Sequence, residues 1–232
     1  MRYGKPVKVE IPAKIVKIAS GYRHNLAVAE NGNCYGWGYN NQQQLSHMDD
    51  FANTSSPSQA IFKPALLSPE LEGKKAIDAT AGEDFSLVLL ENPLNKNAHE
   101  VFSTGNNLRG QLGINRVCHL ADISLVEDVS GFIDQQTAKP LKLLHLQAGR
   151  RHAAAAFNYG AFFMWGDNEF GQLGDRKRRY LESPMPKFKF ELRHNVENVI
   201  CGLDSTAVIV EYIPQDKRPP KKQKEKKKRV IK

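Results

Sequence analysis

The chain has 232 residues, 41% hydrophobic and 25% charged, a composition that suits a soluble globular protein with a real core. Its three cysteines are too few and too scattered for a disulfide framework, and its longest apolar runs, such as Ala153–Phe157, fall far short of the ~20 residues of a membrane helix. No apolar stretch of signal-peptide length follows Met1. The net charge of +8 is local: residues 217–232 hold ten Lys or Arg and one Glu, so the other 216 residues carry a net −1.

In chain order, Pro6–Ile11 alternates apolar and polar and reads as a leading strand. A first unit follows from Ile15 to Ser46, with strand-like runs at Ile15–Ala19, Leu26–Ala29 and Cys34–Trp37 and a tight turn at Asn31-Gly32. A second unit spans Ala76–Gly113 and a third Leu143–Gly174, the latter with its turn at Asn158–Gly160. A fourth copy starts at Asn198, places a further run at Val208–Ile213, and stops where its Trp-Gly half should begin. Residues 1–213 are therefore one repeat domain with core copies at 15–46, 76–113, 143–174 and 198–213, and residues 214–232 are a basic tail that cannot bury a core and is expected to be disordered.

The spacings make the repeat specific. Gly21 to Gly38 is 17 residues, as is Gly149 to Gly166; Gly82 to Gly105 is 23, because six residues are inserted around Asn92–His99. From Gly38, Gly105 and Gly166 to Leu45, Leu112 and Leu173 is seven in every copy. A unit of this size made of short β-runs predicts an all-β propeller blade.

The signature residues have structural roles in this reading. Gly21, Gly82, Gly149 and Gly202 end a strand where the backbone turns or packs closely. His24 and His152 share one position, which Phe85 and Ser205 fill in the other copies, so imidazole chemistry is not required there. Trp37 and Trp165 supply apolar area between blades, with Gly38, Gly105 and Gly166 following; Thr104 in place of Trp suggests a looser second blade. Gly113 and Gly174 close a turn anchored by Leu. No catalytic constellation, metal-ligand spacing, phosphate loop or dinucleotide fingerprint is present; His47, His99, His119, His145 and His194 are isolated, and neither cofactor nor metal is expected.

The pattern Ile18-Ala19-Ser20-Gly21-Tyr22-Arg23-His24-Asn25-Leu26-Ala27, then Trp165-Gly166-Asp167-Asn168-Glu169-Phe170-Gly171-Gln172-Leu173-Gly174, resembles the regulator of chromosome condensation family over about residues 5–213. The resemblance implies a β-propeller, usually of seven blades, of which this chain holds three and part of a fourth. It could close as a four-bladed ring with the N-terminal strand completing the last blade, form an open arc capped by a partner or a second copy, or be part of a longer product. Blade packing fixes the angle between repeats, which favours the arc or the part over the small ring.

Three functions follow as expectations. The first is a non-catalytic protein-interaction scaffold. The second, implied by the founding members of the family, is guanine-nucleotide exchange on a Ran-type small GTPase. The third is chromatin or RNA docking. Contact residues for a protein or nucleic acid are sought in the loop cations Arg150, Arg151, Arg176, Lys177, Arg178 and Arg179 and in the tail cations Lys221, Lys222, Lys226, Lys227, Lys228 and Arg229. The split basic clusters of the tail look like a nuclear import signal, giving a nuclear or cytoplasmic location; no membrane insertion is expected, and the arc edges call for self-association or a capping partner.

Overall fold

Short β-branched and aromatic runs separated by glycine turns pair with their sequence neighbours, and the result is a series of antiparallel sheets. The computed structural model describes residues 5, 7–46, 60–92, 94–95, 98–131, 141–189 and 194–212. Three four-stranded sheets run in simple order: β1 (Ile15–Ser20), β2 (His24–Ala29), β3 (Cys34–Tyr39), β4 (Ala60–Leu66); β5 (Ala76–Ala81), β6 (Phe85–Glu91), β7 (His99–Asn107), β8 (Cys118–Leu125); and β9 (Leu143–Ala148), β10 (His152–Phe157), β11 (Ala161–Asp167), β12 (Tyr180–Lys189). A two-stranded sheet of β13 (His194–Cys201) and β14 (Thr206–Tyr212) follows. Three single 3₁₀ turns, at Pro69–Leu71, Glu127–Val129 and Asn158–Gly160, are the helical elements among the described residues.

The sheets stack face to face as blades. β6 shows this best, because its alternate side chains enter different cores. Val88 and Leu90 join Leu26, Val28, Leu45 and Leu67 of the first blade, whereas Leu87 and Leu89 join Leu146, Trp165 and the third blade. Ala153–Ala156 are fully buried and small, so neighbouring sheets can approach β10 on both sides, and Phe157 meets Phe163 edge-on at 5.7 Å between ring centroids. β13 packs on β9 and β10 through Val196 and Val199. The described residues form three complete propeller blades and the inner strands of a fourth, as the repeat predicts.

Two expectations are corrected. Residues 7–11 form no strand and Val7 and Val9 are exposed, so the proposed leading strand does not complete another blade. Nor is the second blade loosened at Thr104, which is buried and donates from Oγ1 to the Gln43 carbonyl at 2.8 Å. The end faces of the arc stand open. Ile18 on β1 is 78% exposed, while Leu146, its equivalent in the third blade, is 3% exposed against the preceding blade. At the far end Ile200 and Ile209 are exposed, although Val28 and Leu89, the equivalents of Ile209 in the first and second blades, are buried.

Candidate docking face

In each blade the first-to-second and third-to-fourth strand connections lie at the same end, because consecutive strands are antiparallel. That end gathers the Gly-x-x-His loops and the Gly-Gln-Leu turns. The loop glycines touch across blades: a Cβ on Gly21 would lie 2.3 Å from the Gly82 carbonyl oxygen, and one on Gly149 2.5 Å from that of Gly202. The close approach lets the loops bond one another around the axis. Tyr22 N–H donates to Gly82 O (3.2 Å), Glu83 N–H to Arg150 O (2.8 Å) and Arg150 N–H to Leu203 O (3.0 Å). Between them lies a depression of about 600 Å³, with Tyr22, Glu83, Arg150 and Leu203 on its rim.

The signature side chains are blade-to-blade bonds. His24 Nε2 is 3.0 Å from Ser86 Oγ, and Ser86 gives its one proton to the Gln44 carbonyl at 2.7 Å. Ser86 must therefore accept from His24 Nε2–H, which fixes the neutral tautomer with Nδ1 unprotonated. Burial pushes the His24 pKa down to about 4, partly offset by a hydrogen bond to the Phe85 backbone. His152 repeats the arrangement with Thr206 Oγ1 at 2.9 Å, and burial lowers its pKa too. Trp165 Nε1–H donates to the Gln111 carbonyl of the preceding blade at 3.0 Å, and Gly113 makes room for that indole, since a Cβ there would lie 2.8 Å from Nε1. Trp37, in the blade with an open leading face, is only half-buried. Gly38, Gly105 and Gly166 pair with His24, Phe85 and His152, with φ of 110°, 118° and 96° that suit glycine. Gly174, at φ 66°, closes the third turn.

A further set of repeat residues carries as much structure as these. Asn40, Asn107 and Asn168 each accept from the backbone N–H of Leu45, Leu112 and Leu173 at 2.8–3.0 Å. Asn107 Nδ2 also donates to Arg116 O, and Asn168 Nδ2 to Asp175 O and Arg178 O. Gln44, Gln111 and Gln172 accept through Oε1 from Gln42, Arg109 and Phe170 N–H. The signal was in the sequence, Asn two and Gln six residues after the signature glycine in all three copies.

The face is electrically mixed. Arg151 bonds Glu83 at 2.9 Å, which holds the guanidinium pKa up, and Arg150 lies 3.4 Å from Asp204 of the fourth sheet. Arg109 reaches Glu169 at 3.7 Å, and Arg23 lies over Tyr22 and Tyr39 at 5.1 and 5.3 Å. Burial lifts the Asp84 carboxyl, reinforced by Glu83 and opposed by Arg23 and Arg151. Arg150 and Arg151 are thus joined to carboxylates of neighbouring loops, whereas Arg176–Arg179 project from the third blade with no ion pair among the described residues. The tail cations Lys221, Lys222, Lys226, Lys227, Lys228 and Arg229 lie outside the described residues.

Chemistry finds few tools here. Burial raises the Cys201 and Cys34 thiols to about 12, well away from thiolate reactivity. Among the described residues no group of three His, Cys, Asp or Glu could hold a metal, and no helix is long and apolar enough to cross a membrane. What the face offers is contact area: Tyr22, Leu108, Phe170 and Leu203 are exposed on loops pinned to rigid blades, and Tyr39 is exposed at the end of β3.

The sequence profile of the regulator of chromosome condensation (RCC1) repeat matches residues 31–89 and 159–209, and a second profile of the same repeat matches residues 15–44. The chain is 28% identical over 210 residues to the human probable E3 ubiquitin-protein ligase HERC4, covering 90% of this chain and 18% of the ligase. It is 27% identical over 183 residues to an RCC1 domain-containing protein of Dictyostelium discoideum, covering 73% of this chain and 35% of that protein. The chain thus spans well under half the length of these relatives. In fold it is similar to yeast RCC1 (Prp20), solved bound to Kap60, with a TM-score of 0.66 at 21% identity over 87% of this chain and 43% of that one. Human WBSCR16 gives 0.51 at 18% identity over 88% of this chain and 62% of that one.

Proposed function

The chain belongs to the regulator of chromosome condensation repeat family, and we propose that it works as a non-catalytic scaffold that docks a protein on its loop face. The observation that carries this reading is the use of the repeat signature. The side chains that could have done chemistry, His24 and His152, are buried, neutral and bonded to the next blade, while tyrosine, leucine and arginine of the neighbouring loops and Phe170 of the third turn are left on the surface of the same face. Tyrosine and arginine are the residues that carry binding energy at protein interfaces. The test is to compare proteins captured by the full chain with those captured by a Tyr22→Ala, Leu203→Ala variant of unchanged thermal midpoint. Loss of a defined partner is expected, and an identical set would refute the loop face.

Exchange on a Ran-type GTPase is the second reading, supported by the fold shared with yeast RCC1. Acceleration of labelled GDP release by the full chain would establish it and overturn the non-catalytic proposal. Chromatin or RNA docking is assigned to the tail, in a protein that works in the nucleus or cytoplasm. Deleting residues 217–232 then abolishes salt-sensitive nucleic-acid binding, and unchanged binding refutes the assignment. The exposed Ile18 at one end of the arc and Ile200 and Ile209 at the other support a second copy or another protein covering these faces; a clean monomer by light scattering would contradict self-association.

A further inference from the structure

The cations of the loop face are not treated alike. Arg109, Arg150 and Arg151 are each joined to a carboxylate of a neighbouring blade, and Arg23 lies over the Tyr22 and Tyr39 rings. Arg176, Lys177, Arg178 and Arg179 are consecutive and exposed, and none forms an ion pair with a carboxylate among the described residues. Like charges held this close repel, a cost that an outside anion removes.

The loop that carries them is held in shape. Asn168 Nδ2 donates to the carbonyl oxygens of Asp175 and Arg178, and Asn168 N–H donates to Arg179 O at 2.8 Å. Lys177 N–H donates to Asp175 Oδ1 at 2.8 Å, and Arg178 Nη1 meets Met185 Sδ on β12 at 3.8 Å. The backbone bonds leave the Arg176 and Lys177 side chains directed by a braced loop rather than a wandering one. The second blade has the same bracket, Asn107 Nδ2 to Arg116 O, but its shorter connection from Gly113 to Cys118 carries one cation. The bracket belongs to the repeat; the charge belongs to this blade. Phe170, 68% exposed at the tip of the adjoining turn, and Tyr180, exposed at the start of β12, flank the cations with apolar surface.

We infer that the Arg176–Arg179 loop, with Phe170 and Tyr180 beside it, is a docking site for an acidic peptide segment that carries an apolar side chain. The inference rests on the reading of the loop face as a docking face and names the chemistry of its occupant. A protein segment is favoured over nucleic acid by the surroundings. Further along the same face Glu169, Glu83 and Asp204 are each matched by an arginine and Asp84 lies near Arg23 and Arg151, so beyond the four cations the face has no excess positive charge to hold an extended phosphate chain, whereas a short acidic segment ends on the loop. The aromatic side chains then cover the apolar residue of the segment, which gives the site a preference that charge alone lacks.

The test uses the full chain at physiological salt and two labelled probes: a twelve-residue Asp/Glu peptide containing one Leu, and a sixteen-base-pair DNA duplex. Arg176→Glu with Lys177→Glu reverses two exposed charges whose side chains do not brace the loop, and Phe170→Ala removes the apolar flank; thermal midpoints confirm that both fold. Peptide affinity is expected to fall at least tenfold on charge reversal and several-fold on loss of Phe170, while DNA affinity, left to the tail, changes less than twofold. Peptide binding unmoved by the charge reversal overturns the inference. A loss of DNA binding as large as the loss of peptide binding also overturns it and makes nucleic acid the occupant. Failure here is separable from failure of the scaffold reading, because the Tyr22→Ala, Leu203→Ala capture experiment does not involve this loop.

Discussion

The His24–Ser86 contact offers a sharp perturbation because the chain contains its own replacement. Where the first and third blades oppose His24 to Ser86 and His152 to Thr206, the second blade has Phe85, stacked on Gly82 as His24 stacks on Gly21, with fully buried Ala153 at the position equivalent to Ser86. His24→Phe, Ser86→Ala and the double variant therefore form a cycle whose corners should all fold. Ser86→Ala strands the buried His24 Nε2–H and the Gln44 carbonyl and is expected to cost about 2 kcal/mol, within the ~1–3 kcal/mol of an unsatisfied buried group. In the His24→Phe background no imidazole N–H is stranded, so the same change should cost about 1 kcal/mol less.

The pH dependence gives an independent readout. His24 falls from 6.5 to about 4 on folding. Between these values the unfolded chain binds a proton that the folded chain refuses, so this contribution is fully present above pH 6.5 and is lost as pH falls toward 4. The shift corresponds to about 3 kcal/mol in all, of which about 2 kcal/mol is lost by pH 5. His152 acts in the same direction and remains in every variant. Urea unfolding at pH 7.5 and pH 5 should show the His24→Phe protein losing less stability on acidification than the parent by about 2 kcal/mol. Equal acid sensitivity, together with an unchanged cost of Ser86→Ala in the two backgrounds, would refute the neutral, bonded imidazole.

Two further perturbations separate close packing from backbone conformation and brace from charge. Gly149→Ala drives a Cβ to 2.5 Å from the Gly202 carbonyl of the adjoining sheet and is expected to cost about 1–3 kcal/mol by urea unfolding, with loss of protection in the fourth sheet; Gly171→Ala, at φ 81° with open space around it, should cost only the ~1 kcal/mol of left-handed backbone. Asn168→Ala removes the bracket beneath Arg176–Arg179 without altering a charge, so acidic-peptide affinity should fall several-fold while Asn107→Ala, in the equivalent bracket of the second blade, leaves it unchanged.

What could be read from the chain depended on which surfaces repeat. Gly21, Gly82, Gly149 and Gly202 and the Trp-Gly positions recur because each makes the same contact with the next blade, so they exposed the propeller directly. The fourth strands β4, β8 and β12 escaped notice. They lie at the outer edge of each blade, tolerate Pro64, Pro184 and Pro186, and follow connections of unequal length, so no common spacing survives. Residues 7–11 erred the other way, alternating like a strand but pairing with none of the described strands. The pairings His24 with Ser86, Phe85 with Ala153 and His152 with Thr206 were present as residue identities, but their partners are 54–68 positions apart and only the blade stacking brings them together. Arg150 and Arg151 looked like the free charges of a binding loop; carboxylates contributed by adjoining blades engage them, which spacing within one repeat could not reveal.

The chain has two tryptophans, and their indole protons report directly on whether the repeat signature bonds blade to blade. Amide and indole hydrogen exchange followed by NMR should show the Trp165 Nε1–H, donated to Gln111 of the preceding blade, exchanging only with opening of the blade stack, and the half-buried Trp37 Nε1–H exchanging at least a hundredfold faster. Two indole protons that exchange at the same rate would contradict the stacking of these repeats as bonded wedges in an arc with an open leading face.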